Sequence, residues 1–428
     1  MSKTDKMHKK ARHHSESDIT VNARQQQNHK QERCLVGNSI YDSATIFKCF
    51  LQIKLEQKYR RVILKHLMSI LICVFTIGYH GKTVQMEKCS ENHRTTIAYF
   101  LNQGKWDENI LEQCVKAEVI RRIYGEAERT GKPIYCIVDD TIASKTKPSS
   151  RALHPIEDAY FHQSHLKKKQ DYGHQAVGVM LSCNGIVLNY EMVLYDKSRT
   201  KIQIACDIAA ELPEAPVPSF FLCDCWYSCT KVMDAFLTKG FYTIGALKTN
   251  RLIFPAGIKR QIAQFASFIH KTDPNVSLVT VGKRQYYVYR YEGNLKDQEN
   301  VVVLISFPKE AFGVPSALRA FICTDAALTT QEILDSYLVR WSIEVFFRQA
   351  KQNLALDQYQ IRSALGIRRF WILMSTAHLF SCIGTGQTLP FHEGFAVMQK
   401  AITSERISFI YHCGLSHVPL AHVLALAA

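Results

Sequence analysis

The sequence predicts an α/β protein: a mixed sheet flanked by helices, interrupted by a β-rich stretch and preceded by a helical region. Three observations carry this reading. Between Ile134 and Leu247, three apolar strand-like runs give way to alternating helix and strand, the order of a sheet covered on its faces. Four more alternating runs follow before Thr329, and the chain ahead of Gly131 has mainly helical periodicity.

Taken in order, residues 1–33 are polar, with Lys9, Lys10, Arg12, His13 and His14 in one run, and are expected to form a disordered basic tail. Residues 34–130 are expected to form a helical domain. Within it, Thr83 to Lys88, a break at Cys89 to Asn92, and His93 to Gln103 closed by Gly104 have the layout of a helix-turn-helix. His93, Arg94, Thr95 and Thr96 open its second helix; an ordinary helix pair fits equally well. The core, 131–250 and 326–390, begins with Pro133 to Val138 (PIYCIV), closed by Asp139, Asp140 and Thr141. A loop with Lys145, Lys147, Arg151 and Lys167 to Lys169 follows, either solvated or lying on a phosphate backbone. Gly173 to Cys183 and Ile186 to Tyr195 read as a hairpin turning at Asn184 and Gly185. Next come helix Lys201 to Leu212, strand Ser219 to Cys223 closed by Asp224, helix Ser228 to Lys239 and strand Phe241 to Leu247. The β-rich insertion, 251–325, contains Val276 to Val281, Gln285 to Tyr291, Asn300 to Phe307 and Leu318 to Cys323. A single helix over Thr329 to Leu356 opens on the capping-box pair Thr329 and Glu332, and 391–428 forms a C-terminal helical segment. The chain ends in LALAA with no closing signal, which leaves truncation open.

The chemistry concentrates on that helix. Tyr337, Arg340, Glu344 and Lys351 fall within one narrow arc at about 100° per residue. A solvated face would produce the same spacing, with Arg340 and Lys351 pairing to Asp335 or Glu344. The strand-ending acids point further. Strands apolar on both faces are buried, so a carboxylate closing each one sits at the rim of the sheet, where sites form. Two strand-end Asp residues and Glu344, far apart in sequence, can therefore converge.

The motifs VDDT, FLCDCWY and Tyr-x-x-Arg-x-x-x-Glu, with Lys seven residues beyond the Glu, resemble DDE-type cut-and-paste transposases of bacterial insertion sequences. In particular they resemble the family-four branch with the Tyr, Arg, Glu, Lys signature. The resemblance spans Ile134 to Leu356 and implies a ribonuclease H-like core. It implies Asp140, Asp224 and Glu344 as the catalytic acids and metal ligands, Asp140 being chosen over its neighbour Asp139 because the family places its first Asp directly before the Thr. It also implies that Tyr337, Arg340 and Lys351 bind DNA at the cleaved end, that the N-terminal region recognises the element ends, and that the insertion helps hold a DNA hairpin. Mg²⁺ is the implied cofactor, with Mn²⁺ able to substitute. The implied partner is double-stranded DNA, both element ends and target, bound by a homo-oligomer in the bacterial cytoplasm at the nucleoid. Two ions about 4 Å apart would activate the nucleophile and stabilise the leaving oxygen, and hard carboxylate oxygens suffice to hold them. The alternative is a catalytically inactive or domesticated DNA-binding relative.

Composition agrees with that partner. Lys and Arg total 53 against 38 Asp and Glu, a net charge of +15 over 428 residues, which attracts nucleic acid in a salt-dependent way. The 14 cysteines include no CxxC pair; Cys223, Cys225 and Cys229 near Asp224, and His412, Cys413, His417 and His422, lack zinc spacing. They are expected to be reduced thiols and incidental histidines. The apolar stretches Val62 to Tyr79 and Phe370 to Ile383 are interrupted by Lys65, His66, His378 and Ser381, so core helices are expected and no membrane partner. Trp226 and Trp341, beside the acids, are expected to pack in the core rather than stack on a displaced base.

Overall fold

A computed structural model describes residues 39–153, 155–164 and 168–427. The basic tail 1–33 and Lys167 of the basic loop lie outside the described residues. The described residues begin with five α-helices, α1 (Ala44–Gln52), α2 (Arg61–Val74), α3 (Thr83–Glu87), α4 (Arg94–Asn102) and α5 (Glu108–Thr130). Side chains satisfy the free N–H groups at several starts: Ser43 accepts from Ile46 N at α1 and Asp107 from Asn109 N at α5. Gly131, at φ 68°, ends α5 in the left-handed conformation. The pair α3 and α4 matches the expected helix pair, and His93, Arg94, Thr95 and Thr96 are exposed at its second start.

Twelve strands form one mixed sheet. The first six are β1 (Tyr135–Ser144), β2 (Tyr160–Ser164), β3 (Lys169–Cys183), β4 (Ile186–Leu194), β5 (Ser219–Cys223) and β6 (Phe241–Leu247). Asn184 and Gly185, at φ 48° and 84°, turn β3 into β4 as the dipeptide predicts. The order β4, β3, β1, β5, β6, with only β1–β5 and β5–β6 parallel, is consistent with a ribonuclease H-like core. The β-rich stretch extends this same sheet: β7 (Leu252–Ile253), β8 (Arg260–Gln261), β9 (Val276–Val281), β10 (Arg284–Leu295), β11 (Gln298–Pro308) and β12 (Arg319–Cys323) join it where β12 pairs with β6. It also has its own apolar cluster around Ile253, Ile262, Leu295, Val303, Ile305 and Ile322.

The remaining helices are α6 (Lys201–Glu211), α7 (Thr230–Leu237), α8 (Ile262–Ala266), α9 (Thr330–Leu338), α10 (Trp341–Asn353), α11 (Ala364–Ile383), α12 (Phe391–Leu415) and α13 (Leu420–Ala427). The single helix expected over Thr329 to Leu356 is thus two. Val339 and Arg340 keep right-handed helical dihedrals, but the hydrogen bonds from Arg340 N to Tyr337 O and from Ile343 N to Arg340 O span three residues, a local tightening that divides α9 from α10. Helix α11 is buried at every position from Arg369 to Ile383. Burying Arg369 requires partners, and it has them: Glu108 at 3.0 Å, Trp106 O at 2.7 Å, and the C-terminal carbonyls of α4 at Phe100 and Leu101, both at 3.2 Å. The two apolar stretches are α2 and α11, both core helices, and no helix among the described residues is long and apolar enough to cross a membrane.

Candidate active site

Strand β1 does not stop at its two Asp residues, contrary to the sequence expectation, but continues along β3 to Ser144. Its parallel neighbour does stop: the β1–β5 ladder ends at Val138 opposite Cys223. Asp139 and Asp224 are the next residues on the two strands, so both emerge where parallel pairing gives out.

Successive side chains on a strand face opposite sides, so Asp139 and Asp140 are divided between the two faces of the sheet. Asp139 lies opposite Gly178 on β3, and a Cβ at Gly178 would sit 2.6 Å from Phe347 Cε1 of α10. Glycine at this point lets α10 rest on the Asp139 face. There, Arg340 Nη1 donates to Asp139 Oδ2 at 2.8 Å and Nη2 to Glu344 Oε1 at 2.5 Å, so one guanidinium joins the two carboxylates. Asp139 Oδ1 accepts from Asp140 N at 2.8 Å. Asp224 Oδ1 accepts from the N–H groups of Trp226 at 2.8 Å and Tyr227 at 3.4 Å, which folds the turn after β5 around it. Burial pushes the Asp139 carboxyl up to about 7; Arg340 opposes the shift and the Asp224 charge adds to it.

Asp140 occupies the other face. It accepts from Gln175 Nε2 at 2.7 Å, Lys201 Nζ at 2.8 Å and the Tyr227 hydroxyl at 3.3 Å. Gln175 lies two residues from Val177, the β3 partner of Asp140, and so shares its face. The structure therefore brings Asp139, Asp224 and Glu344 to one region and turns Asp140 away from α10.

The other expected residues fall as follows. Arg340 does pair with Glu344, as the solvated-face reading allows, while Asp335 takes Gln331 instead. Tyr337 packs edge-on against Phe321 at 4.8 Å and lies 5.6 Å from the Arg340 guanidinium, and burial raises its phenol so that it stays protonated. Lys351 Nζ reaches Ile142 O on β1 at 3.0 Å. Trp226 and Trp341 are not core residues: they are 55 % and 58 % exposed, Trp226 in the turn after β5 and Trp341 at the first position of α10. Lys145 is no solvated loop residue; it donates to the carbonyls of Asp357 and Tyr359 at 2.9 and 2.8 Å and lies 3.5 Å from the Tyr359 ring.

Residues 130–380 match the family model of the transposase DDE domain. The chain belongs to this family. The match supports transposase function, and no curated protein matches the chain significantly. The transposase domain runs from the end of α5 into α11 and includes Asp139, Asp140, Asp224 and Glu344. Among the described residues, no group of three or more His, Cys, Asp or Glu side chains is gathered closely enough to hold a metal ion. The Arg340 guanidinium lies between Asp139 and Glu344 instead. The donor chemistry nevertheless fits a divalent ion: the oxygens are hard, and the repulsion between Asp139 and Asp224 is what a dication relieves. Among the described residues the cysteines are free thiols, mostly buried, as expected.

Proposed function

We propose that the protein is a DNA transposase that cleaves and joins phosphodiester bonds at the ends of its element, with Asp139, Asp224 and Glu344 as the acids at the reacting phosphate. The observation that carries this is the meeting of Asp139 and Glu344 on one guanidinium, beside Asp224, where the parallel pairing of β1 and β5 ends, in a transposase DDE domain. Asp139 replaces Asp140 in this reading because it shares a face with the helix that bears Glu344. The three carboxylates would hold a pair of Mg²⁺ ions, or Mn²⁺, which when bound activates a water or 3′ hydroxyl and stabilises the leaving oxygen. Arg340 offers a planar fork suited to a phosphate once it leaves the carboxylates, and Lys351 adds a point charge on the same helix. Tyr337 supports Arg340 from beneath. Cut-and-paste chemistry in the family-four manner, a hairpin at the cleaved end, and assembly as a homo-oligomer on the element ends belong to the same reading, because two ends must be joined together.

The test is Mg²⁺-dependent nicking of a plasmid carrying the element ends. Asp139→Asn and Glu344→Ala should abolish it, and Asp140→Asn should leave it within about tenfold of wild type. Activity in Asp139→Asn together with loss in Asp140→Asn restores Asp140 as the first acid; nicking that survives Glu344→Ala removes Glu344 from the mechanism.

A further inference from the structure

We propose that Trp226, Lys201 and Lys248 form a subsite for one unpaired nucleotide of a DNA strand, next to the acids but on the Asp140 side of the sheet. The inference takes its ligand class, DNA, from the proposed function, and its residues from separate observations. Trp226 stands two positions after Asp224, and its N–H donates to the Asp224 carboxylate at 2.8 Å, which ties the ring to the acid's own turn. Its indole is 55 % exposed, an aromatic surface that the fold leaves uncovered. Two ammonium groups approach that ring from different elements. Lys201 Nζ, from the start of α6, is 5.4 Å from the ring centroid, and Lys248 Nζ, just beyond β6, is 5.6 Å away. Lys201 is fixed in place by Asp140 at 2.8 Å.

An exposed indole with cations beside it suits a ligand that has a flat π face and a negative charge a short distance away. A nucleotide has both. Inside a duplex both faces of a base are already stacked, so only an unpaired or displaced base can use the ring. The phosphates of such a strand would lie against Lys248 and the outer side of Lys201. Asp140 then acts as a positioning residue: it holds Lys201 at the indole and does not touch the reacting phosphate.

The experiment is fluorescence anisotropy on the full chain in chelator, so that no cleavage occurs. The probes are a mixed-sequence duplex with blunt ends and the same duplex carrying a short single-stranded overhang. Wild type should bind the tailed duplex about tenfold more tightly than the blunt one. Trp226→Ala should lose that preference while keeping blunt-duplex affinity, and Trp226→Phe should retain most of it. Lys248→Ala should reduce the preference and lower the salt slope for the tailed duplex by about one. A wild type without preference overturns the proposal, as does a Trp226→Ala variant that keeps the preference or loses both affinities equally. The two readings fail separately, because tail preference without metal-dependent nicking removes the cleavage reading alone, and nicking without tail preference removes this one alone.

Discussion

Replacing Asp139 by Asn isolates the cost of keeping a charge at the site. Burial raises this carboxyl from 3.8 to about 7, against the pull of Arg340 and with the repulsion of Asp224. The folded chain therefore binds the proton more tightly than the unfolded chain. Its native state is undiminished by this group below roughly pH 4, loses stability as the pH climbs, and bears the full cost above about pH 7. About three pH units at roughly 1.4 kcal/mol each set a ceiling of ~4 kcal/mol. The 19 % exposure of the Asp139 side chain lets water relieve part of this, which leaves about 2–3 kcal/mol. Asn has the shape of the protonated acid and cannot ionise. In urea unfolding with chelator present, Asp139→Asn should match wild type near pH 4 and exceed it by about 2–3 kcal/mol at pH 8. Glu191, which burial also pushes up to about 7, titrates in both proteins and cancels from the difference. A variant no more stable than wild type at pH 8 would show that the pairing with Arg340 outweighs burial, and the reasoning would fail.

Arg369→Ala should cost about 3–5 kcal/mol in urea unfolding, because it leaves Glu108 and the buried carbonyls of Leu101 and Trp106 without this donor, Phe100 O keeping the Trp106 indole N–H; a loss below about 1 kcal/mol would mean those contacts contribute little. Gly178→Ala forces Phe347 and α10 away from β3, so we expect a loss of about 1–3 kcal/mol and plasmid nicking slowed at least tenfold. Nicking at the wild-type rate would show that the spacing between α10 and Asp139 is immaterial. Arg340→Gln removes the cation that joins Asp139 and Glu344, so Mn²⁺ titrated by electron paramagnetic resonance should bind about tenfold more tightly while DNA binding weakens; weaker Mn²⁺ binding would mean that Arg340 organises the acids rather than competing for them.

Much of the fold was legible because local chemistry and final structure agree. Asn184 and Gly185 encode a turn with two positive φ values and adopt it, and the alternation of Val276 to Val281 is reproduced as β9. Which of Asp139 and Asp140 faces α10 was not legible, since adjacent strand residues always face opposite ways and the sequence does not say which face a helix about two hundred residues later will cover. A signal did exist in Gly178, a small residue opposite Asp139, but it acquires meaning only once the β1–β3 register is known. The break between α9 and α10 has neither Gly nor Pro to announce it. Lys145 read as a loop cation because its partners, the carbonyls of Asp357 and Tyr359, are brought in by the segment that follows α10. Trp226 and Trp341 read as core by apolarity alone, which ignores that a residue in a turn, as Trp226 is, or on the open side of a helix start, as Trp341 is, has no layer above it.

On the proposed readings, the two neighbouring acids of β1 let one strand serve two tasks. Each faces a different layer, and each is matched by a cation from the helix covering that layer: Arg340 at the head of α10 for Asp139, and Lys201 at the head of α6 for Asp140. A cation beside a partly buried carboxylate offsets part of the cost of burying its charge. The cations differ in what else they touch. Arg340 also binds Glu344, so releasing it exposes a cluster of oxygens suited to divalent ions, whereas Lys201 lies near the exposed Trp226 ring, where a base can stack. Asp224, at the end of the strand beside β1, belongs to both arrangements, since its charge reaches Asp139 and its carboxylate holds the turn that presents Trp226. On the proposed readings, the pleat of a single strand would separate phosphate chemistry on one face from strand capture on the other, while the turn after β5 keeps the two a few residues apart.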